Sequence, residues 1–490
     1  MTTRLRFLIV PLLLSALLPA QNKSFPPRWY AKYQTLLQNG AGPRTSTSNS
    51  ITAGANVDAS NECGPQSETF IAINTMNSTS IAGGSNEIFR LPMRGYSSSD
   101  GGKNWAGVDL PLPPAIGANG IDFGSDPSLA FDTSGNLFYS YIVVYFGNGN
   151  GINGTSLAVA KSTDGGVTYP SANFFSFSSG KDHFNDKPMI TADASTGSPF
   201  RDNVYLAWDA ASGGSTSGGI RFARSTDHGA SFSIQRIDNP SGPGRVIAAV
   251  PFTGPAGEVY VAWNDIAANT IAFNRSFDGG VTFGAPGVVA SKQIPFDIGI
   301  PAISFRRALI YPACDADRSN GPHRGRLYCT WTDLAPNGIN TDIFTAFSDD
   351  HGSSWSARRS VTDLAGVDRF YPWLAVDAST GEANVSFYDT RNDTTGQRFM
   401  TDVYFTRSAD GIGFSPNLRV STASSNEHDC GGIFPCSAID YGNQYGDYEG
   451  LASFGGISHA IWTDSRNQLK ASTGCRTNLA MEEVSTSTIR

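Results

Sequence analysis

Short runs that alternate apolar and polar residues follow one another along most of the chain, each ending in turn-forming residues. Examples are Ile220-Arg-Phe-Ala-Arg, Ile271-Ala-Phe-Asn-Arg and Val403-Tyr-Phe-Thr-Arg, which combine β-branched and aromatic residues at a period of two. No comparable helical periodicity is present, and the 53 glycines suit many tight turns. The pattern therefore predicts an all-β protein made of short strands.

A turn phrase recurs between these runs: a serine, an aspartate two residues later, a glycine two further on and then an aromatic residue. Serine and aspartate side chains bond backbone N–H groups within such turns, and glycine supplies a positive φ, so we assign the phrase to folding rather than to catalysis. The copies are Ser98-Ser-Asp100-Gly-Gly102-Lys-Asn-Trp105, Ser162-Thr-Asp164-Gly-Gly166-Val-Thr-Tyr169, Ser225-Thr-Asp227-His-Gly229-Ala-Ser-Phe232, Ser276-Phe-Asp278-Gly-Gly280-Val-Thr-Phe283, Ser348-Asp-Asp350-His-Gly352-Ser-Ser-Trp355 and the shortened Ser408-Ala-Asp410-Gly-Ile-Gly-Phe414.

The copies are 51 to 72 residues apart, which is the length of one four-stranded sheet with its loops. Such a spacing predicts a radial array of blades. A second repeat marks the start of each inner strand at Ser67-Glu68, Ser125-Asp126, Asp186-Lys187, Gly244-Arg, Ile300-Pro, Phe370-Tyr371 and Asp447-Tyr448-Glu449. We therefore predict a seven-bladed β-propeller of four-stranded antiparallel blades, with six blades as the alternative.

Antiparallel strands alternate in direction, so the start of the first strand and the end of the second lie on the same rim. The turn phrases lie on the opposite rim. The first rim is the predicted site rim, because propellers bind ligands at the channel mouth. Residues before inner strands are Glu68, Asp126, Asp186, Lys187, Arg369, Tyr371, Asp447, Tyr448 and Glu449, and residues after second strands are Asp209, Asp265, Asp333, Asp389, Arg391, Asp464 and Arg466.

The regularly recurring aspartates Asp209, Asp265 and Asp333 indicate contacts that lock blades together. The blade-specific residues are the candidate site. Arginines bind an anionic group bidentately, and neighbouring carboxyls whose pKa values are pushed apart divide acid and base roles in glycosidases. A structural ion-pair network at the seam between blades six and seven is the competing interpretation.

The first residues and the net charge indicate where the protein is located and which partners to expect. Met1 to Ala20 carry Arg4 and Arg6 before an apolar run, the layout of a cleaved secretory signal too short to span a membrane. The net charge of -8 without a basic stripe excludes nucleic acid as an expected partner. We expect an exported monomer without a membrane partner, with a signal peptide at 1–20, an extension at 21–60, one propeller domain at 61–480 and a tail at 481–490.

Six cysteines in an exported chain predict disulfides. Cys430 and Cys436 are near enough to staple one loop, Cys314 and Cys329 flank a predicted hairpin insertion, and Cys63 then remains for Cys475, although the sequence leaves other pairings open. None has the spacing of a zinc site, and the segment 315–321 places its glycine one position late for a calcium loop. We expect no metal and no cofactor.

The turn phrase is similar to the Asp-box, or bacterial neuraminidase repeat, and residues 60–475 resemble the sialidase superfamily of propellers. The resemblance implies an arginine triad on a substrate carboxylate, assigned here to Arg369, Arg391 and Arg466 with Lys187, Tyr371 and Asp389 as further binding residues. It also implies a tyrosine nucleophile, Tyr448 or Tyr371, with Glu449 as its partner, and Asp126 or Asp186 as the acid, beside Asp447. Phe89-Arg90-Leu91-Pro92 matches an early family motif in letters, but it lies on a predicted third strand rather than an inner strand.

These observations lead to one expected function and two alternatives. The first is a secreted, sialidase-like glycoside hydrolase that acts on acidic glycans at the channel mouth. The second is a non-catalytic propeller that binds glycan or protein on the same rim. The third is a polysaccharide lyase in which Lys187 and Tyr448 serve the elimination.

Overall fold

The computed structural model describes most of the chain as β-strands joined by short loops. None of the helices in the part that it describes is long and apolar enough to cross a membrane. The predicted signal segment 1–20, Phe89, Arg90, Cys63, Cys430, Cys436 and Cys475 lie outside the described residues. The described residues are 51–60, 66–87, 91–114, 122–146, 152–179, 185–210, 212–213, 216–239, 245–303, 306–428, 445–466 and 483–490.

Seven antiparallel sheets, the blades, follow one another along the chain, and each runs from an inner strand to an outer strand. Blade one has β2 (Gln66–Ile73), β3 (Ile81–Glu87), β4 (Arg94–Ser98) and β5 (Ala106–Asp109). Blade two has β6 (Phe123–Phe131), β7 (Leu137–Phe146), β8 (Ile152–Ser162) and β9 (Ala172–Ser179). Blade three has β10 (Asp186–Ala192), β11 (Val204–Asp209), β14 (Ile220–Ser225) and β15 (Ser233–Arg236), with a small hairpin of β12 (Ser212–Gly213) and β13 (Thr216–Ser217).

The remaining blades have the same order. Blade four has β16 (Val246–Thr253), β17 (Val259–Asp265), β18 (Thr270–Ser276) and β19 (Gly287–Ser291). Blade five has β22 (Ala313–Ala316), β23 (Leu327–Leu334), β24 (Thr341–Ser348) and β25 (Arg359–Ser360), preceded by β20 (Asp297–Ile298), a 3-10 helix (Pro301–Ile303) and β21 (Ala308–Leu309). Blade six has β26 (Arg369–Val376), β27 (Ala383–Asp389), β28 (Met400–Ser408) and β29 (Leu418–Arg419), with β30 (Ser425–Asn426) paired to β28. Blade seven has β31 (Gly450–Phe454), β32 (Ile457–Asp464), β33 (Glu483–Ile489) and β1 (Val57–Asp58).

The blades form a closed ring. Inner strands of consecutive blades contact one another around the whole circle, from β2 through β6, β10, β16, β22 and β26 to β31, which contacts β2 again. The prediction of a seven-bladed, all-β propeller is therefore confirmed, and the six-bladed alternative is wrong.

The last blade is built from both ends of the ring. Strand β1 pairs with β33, with Val57 opposite Thr486, so an N-terminal strand forms the outer edge of the C-terminal blade. The ring thus uses residues 57–58 and 483–489, which the predicted domain range of 61–480 leaves out. Strand pairing between the two ends closes the propeller.

The two rims are as predicted. In blade three Asp186, at the start of the inner strand, lies opposite Asp209 at the end of the second strand. At the other end of the same sheet Val204 lies opposite Ser225, the serine of a turn phrase. The groups that precede inner strands and the turn phrases are therefore on opposite faces of the ring.

The turn phrase makes the hydrogen bonds that its residues predict. Gly229 N–H donates to Ser225 Oγ over 2.8 Å, Ser225 O–H donates to Asp227 Oδ1 over 2.7 Å, and the Ser231 N–H donates to the same carboxylate over 2.9 Å. The φ of Gly229 is 80°, a left-handed value that a side chain would strain. These side chains are engaged within their own turn.

Blade five corrects one prediction. Ile300-Pro-Ala-Ile was expected to open the inner strand, but Pro301–Ile303 form the 3-10 helix and the inner strand is Ala313–Ala316. The expected insertion at 315–321 begins inside that strand. Cys314 and Cys329 lie opposite each other on β22 and β23 and form a disulfide, as predicted.

Candidate functional site at the channel mouth

The inner strands begin with an unusual backbone conformation. Glu68, Asp126, Lys187, Ala248 and Tyr371 occupy the same position in blades one, two, three, four and six, and all five have positive φ, from 49° to 66°. In each of these blades the strand register shifts at that point, which marks a β-bulge. Bulges re-aim side chains beside functional sites, and left-handed non-glycine residues cost about 1–3 kcal/mol each.

These positions bring charged groups from several blades together at the axis. The Lys187 ammonium lies 3.3 Å from Glu68 Oε1, 3.2 Å from Asp126 Oδ1 and 2.5 Å from Asp447 Oδ2. All four side chains are buried. Blades one, two, three and seven thus contribute to one cluster, which we call the central cluster.

A segment between blades four and five completes the central cluster. We call its described residues, 293–303 and 306–312, the strap. Its Arg306 guanidinium contacts Asp447 Oδ1 at 2.6 Å and Glu68 Oε1 at 3.4 Å, and 29% of its side chain is exposed. Its Tyr311 hydroxyl lies 3.5 Å from Asp447 Oδ2. Arg306 is therefore the cation through which the central cluster meets solvent.

The strap is held at its start and in its middle. At its start Asp333 Oδ1 accepts the backbone N–H groups of Gln293 and Ile294 at 2.8 and 3.1 Å. Farther along, His428 Nε2 lies 2.6 Å from the Pro301 carbonyl, which ties the 3-10 helix to the segment after blade six. Because its isoleucines are also buried in the main core, the strap is an integral part of the channel mouth.

The Asn86 amide joins the Glu68 carboxylate of blade one to the Asp126 backbone of blade two. Asn86 Nδ2 donates to Glu68 Oε2 over 2.9 Å, and Asn86 Oδ1 accepts the backbone N–H of Asp126 over 2.8 Å. Ser125 adds a hydrogen bond to Asp126. These contacts fix the separation of Glu68 and Asp126 on either side of Lys187.

The environment pushes the carboxyl pKa values apart. Burial raises the pKa of Glu68 well above its ordinary value, although the Lys187 charge opposes the rise. Burial also disfavours ionisation of Asp126, but the Lys187 charge and hydrogen bonds from Glu68 and Asp186 lower the Asp126 pKa below its ordinary range. Burial, followed by the Asp126 charge, raises the pKa of Asp186.

Lys187 remains a cation in this setting. Burial by itself lowers the pKa of Lys187, but the carboxylates of Asp126, Asp447 and Glu68 raise it well above its ordinary value. The ammonium also lies 5.8 and 5.6 Å from the ring centroids of Tyr311 and Tyr448. A permanently protonated lysine organises the carboxylates and does not accept protons at neutral pH.

The tyrosines differ in what their hydroxyls contact. Tyr448 donates to the Pro127 carbonyl over 2.9 Å, and Tyr371 donates to the Arg307 carbonyl over 3.2 Å. The hydroxyls of both predicted nucleophiles therefore donate to backbone carbonyls. Tyr311, which sequence reasoning missed, is the tyrosine whose hydroxyl faces a central carboxylate.

The three predicted arginines lie apart from Lys187. Arg369 pairs with Asp389 at 2.6 Å and Arg391 pairs with the same carboxylate at 2.8 Å, so two of the three do meet. Arg466 pairs with Asp464 through its Nε at 2.8 Å. Within the described ranges, none of these arginines forms an ion pair with the central cluster.

Glu449 occupies a separate position. Its side chain is buried. Burial raises its pKa well above the ordinary value, with Ser386 opposing the rise. Its carboxyl therefore does not meet the Tyr448 hydroxyl, which bonds Pro127.

The channel continues beneath the central cluster toward the turn-phrase rim. A cavity of about 200 Å³ lies along the axis there. Its lining comes from all seven inner strands, with Phe70, Leu129, Met189, Val250, Cys314, Trp373 and Leu451 among the contributing residues. The central cluster thus closes one end of a channel lined by both apolar and polar side chains.

No family profile matches the sequence, and no curated protein matches it. Solved structures that are similar include a leech intramolecular trans-sialidase, at 13% identity over 74% of this chain and 70% of that chain with a TM-score of 0.45. The NanB sialidase of Streptococcus pneumoniae is similar at 12% identity over 77% and 71%, with a TM-score of 0.46. A Dyadobacter fermentans protein of unknown function is similar at 15% identity over 69% and 94%, with a TM-score of 0.45. Sialidases are thus among the solved structures that this chain resembles.

Proposed function

We propose that the protein is a sialidase-like glycoside hydrolase that acts on acidic glycans at the channel mouth. The observation that carries this proposal is the convergence of Glu68, Asp126 and Asp447 on Lys187 and Arg306, with carboxyl pKa values driven in opposite directions. Glycosidases need one carboxyl that holds a proton and one that is ionised.

The roles follow from protonation and exposure. Glu68 or Asp186, whose pKa values are raised, is the proton donor, and Asp126 stays ionised. Arg306 is the partly exposed guanidinium and binds the carboxylate of an acidic sugar, exchanging part of its contact with Asp447 for the ligand. Tyr311 is the proposed nucleophile, because its hydroxyl faces Asp447.

The burial of Lys187 and Asp447, whose side chains are 4% and 0% exposed, favours a second candidate. In that case the central cluster locks the blades together and the rim binds glycan or protein without turnover. The lyase alternative loses support, because the neighbouring acidic groups keep Lys187 protonated and the Tyr448 hydroxyl donates to the Pro127 carbonyl, so neither group is available as the base.

We also propose that the protein works outside the cytoplasm. Its disulfide joins buried Cys314 and Cys329 of adjacent strands, and disulfides persist in oxidising compartments. The predicted signal segment at 1–20 points to the same compartment.

The test is turnover by the purified protein of fluorogenic sialosides and uronides, with a neutral glucoside as the negative substrate. Arg306→Gln is compared with Arg307→Gln, the neighbouring arginine that pairs with the exposed Asp297. We expect Arg306→Gln to lose about 100-fold or more in kcat/KM on the acidic substrate and Arg307→Gln to stay within about threefold of wild type. Binding without turnover by the wild type would support the second candidate instead.

A further inference from the structure

Two neighbouring arginines of the strap have opposite surroundings. Arg306 contacts the buried carboxylates of Asp447 and Glu68, whereas Arg307 pairs with Asp297, whose side chain is 51% exposed. The φ of Arg307 is 68°, a left-handed value that is unfavourable for an arginine. The turn of the backbone at this residue separates the two side chains.

Tyr371 holds that turn. Its hydroxyl donates to the Arg307 carbonyl over 3.2 Å, and the Leu309 backbone N–H is a second strap contact of the same oxygen. The ring is fixed by packing 5.2 Å from the Phe370 ring and 6.4 Å from the Tyr388 ring, centroid to centroid. Tyr371 itself has a φ of 49°, so blade six places this side chain through one of the repeated bulges.

We propose that Tyr371 is a positioning residue, whose hydroxyl fixes the strap so that Arg306 lies over the central carboxylates. This role rests on the proposed function, in which Arg306 binds the acidic group of the substrate. It differs from the expected role of Tyr371 as a nucleophile or a direct substrate contact. A side chain that is 3% exposed and bonded to the strap backbone acts through Arg306.

The test compares Tyr371→Phe with Tyr388→Phe, each of which removes one buried hydroxyl from blade six. The Tyr388 hydroxyl bonds the Thr463 backbone of blade seven instead of the strap, at 3.0 and 3.1 Å. Hydrogen exchange of the amides at 306–311 reports the strap directly. KM and kcat on an acidic glycoside report the position of Arg306.

We expect Tyr371→Phe to speed strap exchange and raise KM, each by about fivefold, with kcat nearly unchanged, since a lost neutral hydrogen bond alters local equilibria by that amount. Tyr388→Phe should leave both readouts at wild-type values. Equal strap exchange in the two variants would overturn the positioning role, whether or not the wild type turns over a glycoside. Absence of wild-type turnover with faster strap exchange only in Tyr371→Phe would overturn the proposed function and retain the anchoring of the strap.

Discussion

At the scale of the residue, the bulge at the start of the inner strands determines which side chains reach the axis. The same strained position carries Glu68, Asp126 and Lys187 in consecutive blades, and Ala248 in the next. Strain of this kind persists only where the surrounding structure compensates for it. The ion pairs of Lys187 with Glu68 and Asp126 link the side chains of the first three bulges.

Replacing Lys187 tests this role. Lys187→Met leaves Asp126 without its cation and leaves Arg306 as the remaining cation beside Glu68 and Asp447, and we expect the free energy of unfolding to fall by about 3–5 kcal/mol in urea titrations. Lys161→Met is the control, because its ammonium lies only over the Phe138 ring. Equal unfolding midpoints for the two variants would contradict a stabilising role for Lys187.

A second residue-scale prediction concerns pH. Burial raises the pKa of Asp209 from 3.8 to about 8, so the folded chain holds a proton there that the unfolded chain releases. The free energy of unfolding should therefore fall as pH rises from about 4 to about 8, by at most about 1.4 kcal/mol per pH unit, and level off above that. Asp209→Asn should flatten this part of the curve in urea titrations at pH 4, 6 and 8. A variant as sensitive to pH as the wild type would count against this assignment.

At the scale of the element, the turn phrases and the strap lie on opposite rims of the ring, and the proposed function gives a catalytic role only to the strap. The serine and aspartate side chains of the turn phrases form hydrogen bonds within their own turns. These turns lie on the rim opposite the central cluster. The strap brings Arg306 and Tyr311 to the channel mouth. Substitutions in the turn phrases should therefore change the free energy of unfolding, whereas substitutions in the strap should change turnover.

Ser225→Ala measures the first effect. It leaves the partly buried N–H of Gly229 without its acceptor, and we expect a loss of about 1 kcal/mol in the free energy of unfolding with unchanged kcat/KM. Differential scanning calorimetry and the glycoside assay provide the two readouts. The matched change Ser231→Ala removes an exposed hydroxyl from the same turn and should cost less. Loss of turnover in folded Ser225→Ala would argue against an inert rim.

Sequence reasoning succeeded where strands and turns repeat, and failed where the chain departs from the repeat. It placed Lys187 and Asp447 on the rim opposite the turn phrases, because their position in the strand order is regular. The strap reads as a strand, since Ile294, Ile300 and Ile303 are apolar, yet they are buried across the channel mouth. Arg306 and Tyr311 were missed because the segment was interpreted as an inner strand. The apolar run between two blades was the signal that could have indicated the strap.

The predicted arginine triad shows a second limit, because strand order fixes the rim but not the distance from the axis. Arg391 and Arg466 follow second strands, which lie one strand outward from the inner strands. Their neighbours Asp389 and Asp464 neutralise them there. The distance of these arginines from the channel axis depends on how the inner strands pack together, which the order of strands along the chain does not determine.

At the scale of the whole molecule, closure of the ring depends on β1 and β33 in the last blade. Removing residues 483–490 eliminates the strand that pairs with both β32 and β1. We expect the truncated chain to unfold at a lower urea concentration and over a broader range, measured by tryptophan fluorescence, because an open ring loses cooperativity between the first and last blades. Ala59→Pro, which removes only the N–H bonded to the Val484 carbonyl, should give a smaller change in the same direction. Unchanged midpoints in both would show that the ring holds without this strand pairing.

The composite blade also has a consequence during synthesis. The N-terminal strand leaves the ribosome among the first residues of the ring, and its partner is among the last. Until β33 has been synthesised, β1 and β32 lack the strand that pairs with both of them, and such unpaired edges can associate with other chains. The last blade is therefore completed only after β33 has been synthesised, although β1 is among the first strands made.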